Sequence, residues 1–352
     1  MSLFQPFAQR SLTLRNRIAV SPMCQYSSVN GMPDDWHLVH LGSRAVGGAA
    51  LVFTEAAAVS PEGRISPADA GLWNEAQAQA WAPISSFIAS QGAIAGVQLA
   101  HAGRKAATAP PWLGGKAVAL ESGGWTPVAP SALAFAPDYH LPHALDEAGI
   151  VKVIADFRAS ALLALDAGFQ LIELHAAHGY LLHEFLSPLA NHRDDRWGGS
   201  FDNRIRLVHS VLAALRELWP ERYPLWLRIS ATDWAQGGWD IEQSVELART
   251  VAALGVDLVD VSSGGLVADA KILVEPGYQV PFAARIRREA GIATGAVGLI
   301  TDPRQSNAII NDGKADIVLL AREELRDPYF PRRAAKELGV EIEVPLQYQR
   351  SW

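Results

Sequence analysis

The amino-acid sequence predicts an α/β fold, a single (β/α)8 TIM barrel with a long excursion after its third strand. Three observations support this: eight short apolar segments suited to buried strands, a helical stretch after each of them, and polar residues directly after several strands. Strands that alternate with helices favour a parallel sheet. A chain of 352 residues could hold two average domains, but barrels commonly reach this length as one, and no second core or internal repeat is visible. We therefore expect one domain over residues 1–352.

Each predicted strand is a short apolar run that ends near a polar or turn-forming residue. The strands are expected at residues 17–23, 50–56, 95–99, 171–176, 225–230, 258–262, 292–297 and 316–320. The helices that follow them are expected at residues 37–46, 74–91, 147–167, 203–218, 240–254, 280–290, 302–311 and 328–338. Asp302 is expected to be the N-cap of its helix, with Pro303 at the first helical position.

Residues 106–145 interrupt this alternation. The segment contains six prolines and four glycines and shows no sustained period. A long irregular loop inside a compact domain usually has a function, such as an active-site lid. Because it follows a strand, it would lie over the catalytic face of a barrel. The alternative is a disordered surface insertion.

Composition and charge limit the possible classes of function. A hydrophobic fraction of 49% is ordinary for a globular protein with a large core, and a net charge of −7 provides no basic surface for nucleic acid or an anionic membrane. The single cysteine, Cys24, excludes an internal disulfide and a four-cysteine metal or iron–sulfur site. Neither a signal peptide nor an apolar run of the ~20 residues needed to span a bilayer is visible, so we expect a cytoplasmic protein.

The strongest candidate for chemistry is the stretch LIELHAAHGYLLHEFLSP at residues 171–188. Its apolar strand ends in His175 and His178, which Tyr180 follows closely. Residues just past the strands of a barrel converge on one mouth, where two imidazoles and a phenol could polarise a carbonyl and deliver a proton. The alternative is a pair of hydrogen-bonded histidines in a partly buried loop.

Further polar residues are expected at the same mouth. Arg228 interrupts an apolar strand and requires an anionic partner, either a carboxylate such as Glu173 or a bound anion. Gln98 could pair with the amide edge of a heterocycle. Gly298 follows the seventh strand and Arg322 the eighth, which suits a phosphate monoester; glycine there could instead only ease a turn.

Five motifs resemble the Old Yellow Enzyme family of flavin-dependent ene-reductases, in the subclass often called thermophilic-like and close to xenobiotic reductase. They are SPMCQYSS (21–28), VQLAHAGRK (97–105), IELHAAHGYLLHEFLSPLANHRDDRWGGSFDNR (172–204), LLAREELRDP (319–328) and QYQRSW (347–352). The resemblance covers nearly the whole chain and implies a non-covalent FMN across the barrel mouth. The residues implied to surround its ring are Ser21, Pro22, Met23, Ala56, Gln98 and Arg228, and those implied at its phosphate are Gly298, Ala321 and Arg322.

The resemblance also implies a ping-pong cycle. NADPH or NADH would deliver hydride to the flavin, and an activated alkene, an α,β-unsaturated carbonyl or nitro compound, would then receive it. His175 and His178 would hydrogen-bond the oxygen of the substrate, Tyr180 would protonate its α-carbon, and Tyr26 would line its pocket. Cys24 would tune the flavin potential; without the resemblance it reads as a small buried hydrophobe.

The C-terminal tail, residues 345–352, matches a segment that reaches the active site of a neighbouring subunit in this subclass. Arg350 would then contact the substrate in a homodimer or homotetramer, whereas a short charged tail otherwise frays. Among the departures from the family pattern, Ala321 stands where a glycine often precedes the phosphate-binding arginine. A methyl group there crowds the phosphate unless the backbone φ is negative.

Two other classes of function compete with this interpretation. One is a flavin-binding redox sensor, in which Cys24 and the flavin report oxidant without useful turnover. The other is a metal-dependent barrel hydrolase or aldolase that uses His175, His178 and Glu184, although no third ligand is obvious and Tyr180 would be idle.

Overall fold

The barrel forms from eight parallel strands, each followed by a helical connection. The computed structural model describes residues 2–352. Within them the strands are β1 (Phe7–Gln9), β2 (Leu12–Leu14), β3 (Ile18–Val20), β4 (Leu51–Ala58), β5 (Ile94–Ala100), β6 (Val128–Ala129), β7 (His143–Ala144), β8 (Leu171–Ala176), β9 (Leu225–Ser230), β10 (Leu258–Ser262), β11 (Ala293–Ala296) and β12 (Ile317–Leu320). The closed barrel runs in the order β3-β4-β5-β8-β9-β10-β11-β12 and back to β3. The predicted (β/α)8 fold is therefore confirmed.

The helices form the outer layer of the barrel. They are α1 (Asp35–Gly47), α2 (Glu75–Ser90), α3 (Glu147–Asp166), α4 (Leu181–Leu186), α5 (Phe201–Leu218), α6 (Ile241–Ala253), α7 (Val280–Ala290), α8 (Pro303–Asn311), α9 (Arg322–Arg326) and α10 (Phe330–Leu338). Asp302 caps α8 as predicted, because its carboxylate accepts a hydrogen bond from the Gln305 backbone N–H at 2.8 Å. Large side chains such as Trp81, Phe157 and Phe185 are fully buried between these helices and the strands, where each contributes about 1.5–3 kcal/mol of burial free energy or more.

Several elements differ from the prediction. The antiparallel hairpin of β1 and β2 and the short helices α4 and α9 were not predicted. Strand β3 ends at Val20 rather than Met23, since Pro22 has no N–H to continue the ladder. Strand β4 extends to Ala58, and its register with β5 shifts between Phe53 and Ala56.

Three layers of side chains fill the barrel interior along β8, β9 and β10. Alternate residues of a strand face the same side, so each strand contributes one inward residue per layer. The lowest layer is apolar and consists of Leu171, Trp226 and Leu258. The middle layer is charged and consists of Glu173, Arg228 and Asp260. The top layer is polar and consists of His175, Ser230 and Ser262. The polar side chains therefore lie at the carboxyl ends of the strands.

The excursion at residues 106–145 is ordered rather than structureless. It contains the two-residue strands β6 and β7 and two single-turn 3-10 helices, Pro111–Leu113 and Leu120–Ser122. Its Trp125 indole donates a hydrogen bond to the Glu62 carbonyl at 2.9 Å. The ring of Trp112 packs edge-on against Tyr26, with centroids 5.7 Å apart, so the excursion contacts the segment that follows β3. Its role as a lid stays a prediction.

The C-terminal tail lies against α10. The hydroxyl oxygens of Tyr329 and Tyr348 are 3.4 Å apart, and the Trp352 ring is stacked on Tyr329 at 6.5 Å between centroids. Arg350 is exposed, and no hydrogen bond within residues 2–352 joins its side chain to the barrel mouth. No described helix has the length and apolar character needed to cross a membrane.

Candidate active site at the barrel mouth

The turn after β8 contains two of the predicted catalytic residues, His178 and Tyr180. His178 has a positive φ of 59°, and its backbone N–H donates to Ser230 Oγ at 2.9 Å. The next residue, Gly179, also has a positive φ, and a Cβ there would lie 2.2 Å from the Gly265 carbonyl oxygen. Only glycine therefore fits, and the turn is held against the strands β9 and β10.

The hydrogen bonds of the two histidines indicate their tautomers. The Ala177 backbone N–H donates to His175 Nδ1 at 3.3 Å, so a neutral ring carries its proton on Nε2. That nitrogen lies 3.4 Å from His178 Nδ1, and His178 Nε2 lies 2.7 Å from Ser262 Oγ. Burial, and then the positive charge of Arg228, lower the pKa of both histidines well below its ordinary value. Both are therefore neutral N–H donors at physiological pH.

Tyr180 completes this group. Its ring is perpendicular to that of His175, with centroids 5.1 Å apart. It also packs against a small apolar cluster that includes Ile65 and Ala102. Burial raises the pKa of the Tyr180 phenol well above its ordinary value, with smaller contributions from nearby groups such as Cys24. The phenol is therefore protonated and able to donate.

Cys24 and Tyr26 lie in the segment that follows β3. Cys24 is half-buried and packs in the same apolar cluster as Tyr180. Burial, and then the Asp69 carboxylate, raise the pKa of the Cys24 thiol, and the nearby Tyr26 hydroxyl opposes this increase. A neutral thiol is a poor nucleophile and reacts slowly with peroxides. This direction of the pKa shift does not favour the redox-sensor alternative, which stays a hypothesis.

The charged middle layer lies directly below. Arg228 Nη1 donates to Ser21 Oγ at 3.1 Å, and Arg228 Nε lies 3.1 Å from Asp260 Oδ2 without the direction of a hydrogen bond. Gln98 Nε2 donates to Glu173 Oε1 at 2.8 Å. The carboxylate paired with Arg228 is thus Asp260 rather than Glu173, which the sequence suggested. The sequence does contain a signal for this pairing, because Asp260 interrupts the apolar strand LVDVS just as Arg228 interrupts LWLRIS.

A cavity of about 210 Å³ adjoins the mouth between β11 and β12, and its lining includes Ser262 of the top layer. Gly298, Ala321 and Arg322, the residues expected at the phosphate, line it together. A Cβ at Gly298, where φ is 117°, would lie 2.7 Å from Gln279 Nε2, so this position requires glycine. Ala321 has a φ of −107°, so its methyl group is tolerated without strain.

Gln279 was not predicted as part of the site. It accepts a hydrogen bond from Ser263 Oγ at 2.6 Å and donates one to the Val297 carbonyl at 2.9 Å. It therefore joins the segments that follow β10 and β11, next to Gly298. Its position at the start of α7, far from any strand end in the sequence, left no local signal for this role.

The residues at the mouth fit an FMN. The glycine-lined cavity with Arg322 suits a phosphate monoester, and the guanidinium of Arg228, buried below the mouth, suits an electron-rich ring edge. The other residues expected around the ring lie beside these two sites: Ser21 is bonded to Arg228, Ala56 is in register with Gln98, and Pro22 and Met23 follow β3. Their individual roles stay predictions.

The described residues offer no metal site in place of a flavin. Within residues 2–352, no three side chains of His, Cys, Asp or Glu come together in a way that could hold a metal ion. Glu184, the third ligand of the metal-dependent alternative, instead accepts a hydrogen bond from the Arg104 backbone N–H at 2.8 Å. That alternative therefore lacks a ligand set.

Comparison with known proteins agrees with this geometry. Residues 2–341 match the NADH:flavin oxidoreductase / NADH oxidase family, an FMN oxidoreductase family. The chain belongs to this family. It is 47% identical over 352 residues to an NADPH dehydrogenase of Listeria monocytogenes, covering 99% of each chain. It is 46% identical to an NADPH dehydrogenase of Geobacillus sp., covering 99% of this chain and 98% of the relative.

Solved structures of the family superpose on the barrel. Morphinone reductase gives a TM-score of 0.81 at 26% identity, with 98% of this chain and 91% of that chain covered. An old yellow enzyme homologue from Zymomonas mobilis gives 0.78 at 26% identity, with 98% and 95% covered. The resemblance to the Old Yellow Enzyme family is therefore confirmed. This family member is an FMN-dependent oxidoreductase that uses a reduced nicotinamide dinucleotide.

Proposed function

We propose that the enzyme reduces the activated C=C bond of α,β-unsaturated carbonyl or nitro compounds, with NADPH as the electron donor. The observation that carries this proposal is the arrangement of His175, His178 and Tyr180, two neutral imidazoles and one protonated phenol around one side of the mouth. The donor is proposed from the relatives, which are NADPH dehydrogenases. When bound, FMN supplies the hydride chemistry.

The histidines polarise the substrate. The Nε2–H groups of His175 and His178 would turn from their present partners towards the carbonyl or nitro oxygen, where negative charge develops during reduction. Neutral donors suit this role because they stabilise the charge without transferring a proton to the oxygen. Removal of one such donor typically costs about 10²–10³ in rate.

Tyr180 supplies the proton. Its phenol packs against an apolar cluster and stays protonated, so it can donate to a carbanion-like α-carbon. The elevated pKa makes the phenol a weak acid in the ground state, and its position beside the substrate therefore provides much of its effect. The ring of Tyr26, packed against Trp112, would form a wall of the substrate pocket.

The test is an anaerobic visible spectrum of the purified protein, to which NADPH and then 2-cyclohexenone are added. Bleaching of the flavin band by NADPH, followed by its recovery on addition of the enone, is the expected result. Bleaching without recovery by any enone or nitroalkene would contradict the proposed substrate class. A colourless protein that does not take up FMN would contradict the proposed cofactor site.

We also propose that Arg350 completes the substrate pocket of a neighbouring subunit in a homodimer or homotetramer. This proposal is supported by the exposure of Arg350, which has no hydrogen bond to the mouth of its own barrel within residues 2–352. Mixing inactive Tyr180→Phe subunits with inactive Arg350→Ala subunits should restore part of the activity. Absence of complementation between folded, exchanging subunits would contradict it.

A further inference from the structure

The charged layer beneath the mouth contains more negative than positive charge. Arg228 is buried with two carboxyl groups, Glu173 and Asp260, both of which are fully buried. One guanidinium cannot balance two carboxylates in a region without solvent. The charge that Arg228 presents upward, towards the mouth, therefore depends on which of the two acids is paired with it.

The geometry distinguishes the two acids. Asp260 is the direct strand neighbour of Arg228, since the two residues are partners in the β9–β10 register, and Asp260 Oδ2 lies 3.1 Å from Arg228 Nε. Glu173 is the neighbour of Gln98 in the β5–β8 register and accepts a hydrogen bond from its amide. Asp260 therefore acts on the charge of Arg228, and Glu173 acts on the orientation of Gln98.

Neither acid is held by the hydrogen bonds that would fully stabilise an anion. Both carboxylate oxygens of Asp260 and Glu173 Oε2 are buried without a hydrogen-bond partner among the described residues. Burial raises the pKa of both groups, and Arg228 opposes this increase for both; for Glu173 the charge of Asp260 raises it further. Glu173 therefore keeps its proton more readily, and Asp260 is the acid that carries negative charge next to Arg228.

We propose that Asp260 is a positioning residue that sets the reduction potential of the bound flavin by neutralising part of the charge of Arg228. The inference rests on the proposed placement of FMN above Arg228. A full positive charge at that edge would stabilise the reduced, more negative ring over the oxidised one. Asp260 reduces this preference, so that the flavin remains a sufficiently strong reductant to pass hydride to an alkene.

The experiment compares two-electron midpoint potentials of FMN-loaded proteins, measured without alkene against a redox dye under anaerobic conditions. Asp260→Asn should increase the affinity for reduced relative to oxidised FMN about tenfold, which corresponds to a rise of about 30 mV. Asp260→Glu, which retains the charge, should stay near the wild-type potential. Asp260→Ser serves as a second neutral variant in case the asparagine variant does not fold, and it should show the same rise.

The matched control is Asp316→Asn. Asp316 is also a buried aspartate beside a barrel strand and is paired with an arginine, Arg287, at 2.9 Å. It precedes β12, however, and so lies at the end of the barrel away from the mouth. This variant changes the net charge equally and should leave the potential unchanged.

Two results would overturn the inference. One is a neutral Asp260 variant that binds FMN stoichiometrically with a potential unchanged from wild type or lower. The other is an equal rise in Asp316→Asn, which would show a general effect of net charge. Because no alkene is present, these results are independent of the proposed substrate class, which fails only if the reduced wild-type enzyme is not reoxidised by enones.

Discussion

The lower and the middle layers of the barrel interior come from the same strands but have opposite effects on the free energy of folding. The lower layer, around Leu171, Trp226 and Leu258, is apolar and packs with neighbouring side chains such as Phe53. Two residues further along each strand, the middle layer contains charges with several unpaired atoms. Burial of the first contributes to folding, whereas burial of the second costs free energy that the packing around it must offset. Along each of these strands, the residue that stabilises the fold and the residue that serves the active site are therefore only two positions apart.

The largest effect is expected above both layers, at Tyr180. Tyr180→Phe should slow reoxidation of the reduced enzyme by 2-cyclohexenone about 10²–10⁴-fold, since the proton donor is lost. Reduction by NADPH, which needs no such donor, should be unaffected. Stopped-flow absorbance of the flavin separates the two half-reactions. Tyr139→Phe, a hydroxyl deletion in the excursion, is the control, and equal slowing of both half-reactions by Tyr180→Phe would contradict its role.

The apolar layer should show the largest effect on stability. Trp226→Ala should lower the free energy of unfolding by about 3–5 kcal/mol, because it leaves a cavity in the barrel. It also removes the indole hydrogen bond to Gln9 Oε1 at 2.7 Å. Urea unfolding of the apoprotein measures this loss. Trp36→Ala is the control, since Trp36 is 54% exposed and its loss should change stability by about 0.5 kcal/mol or less. Similar losses of stability in both variants would contradict the stabilising role of the apolar layer.

Replacement of the buried Arg228–Asp260 ion pair by apolar residues should not destabilise the protein, in contrast to Trp226→Ala. The double variant Arg228→Met with Asp260→Leu should leave the apoprotein as stable as wild type or about 1–4 kcal/mol more stable, since a buried ion pair seldom recovers its desolvation cost. FMN affinity should fall sharply at the same time. Urea unfolding of the apoprotein and FMN titration give the two readouts. A strongly destabilised double variant would show that the charged layer stabilises the fold after all.

A smaller, pH-dependent effect is expected at the ion pair between His37 of α1 and Glu55 of the barrel strand β4. Burial alone would lower the pKa of His37, but hydrogen bonds to Glu55 at 2.9 Å and to Asp34 outweigh it and leave this pKa raised. The stabilisation by protonated His37 is then fully present below its ordinary pKa of 6.5 and is lost as the pH rises through the raised value. The stability difference between wild type and His37→Gln should therefore decrease from pH 6 to pH 9.

His209 offers the matched control with the opposite sign. Burial lowers its pKa, so wild type should lose stability relative to His209→Gln as the pH falls below 6.5. Thermal unfolding midpoints across this pH range measure both variants. Parallel pH profiles for the two variants would contradict the assignment of a protonated His37.

Much of the fold was predictable because it rests on local patterns. The bounds of β8, β9 and β10 agree with the predicted strands to the residue, since a buried strand is a short apolar run that its polar end terminates. The hairpin of β1 and β2 was missed because three-residue strands carry no period long enough to recognise. The helix α4 was missed because its six residues are all buried and show no amphipathic pattern.

The sequence by itself determined the barrel, the positions of His175, His178 and Tyr180 at a strand end, and the glycine and arginine of the cavity at Gly298 and Arg322. These follow from strand period and from the convergence of strand ends in a closed parallel sheet. Only the tertiary structure decided which acid pairs with Arg228 and that the histidines are neutral. Register between strands and the depth of burial set these properties, and both arise only when the barrel closes.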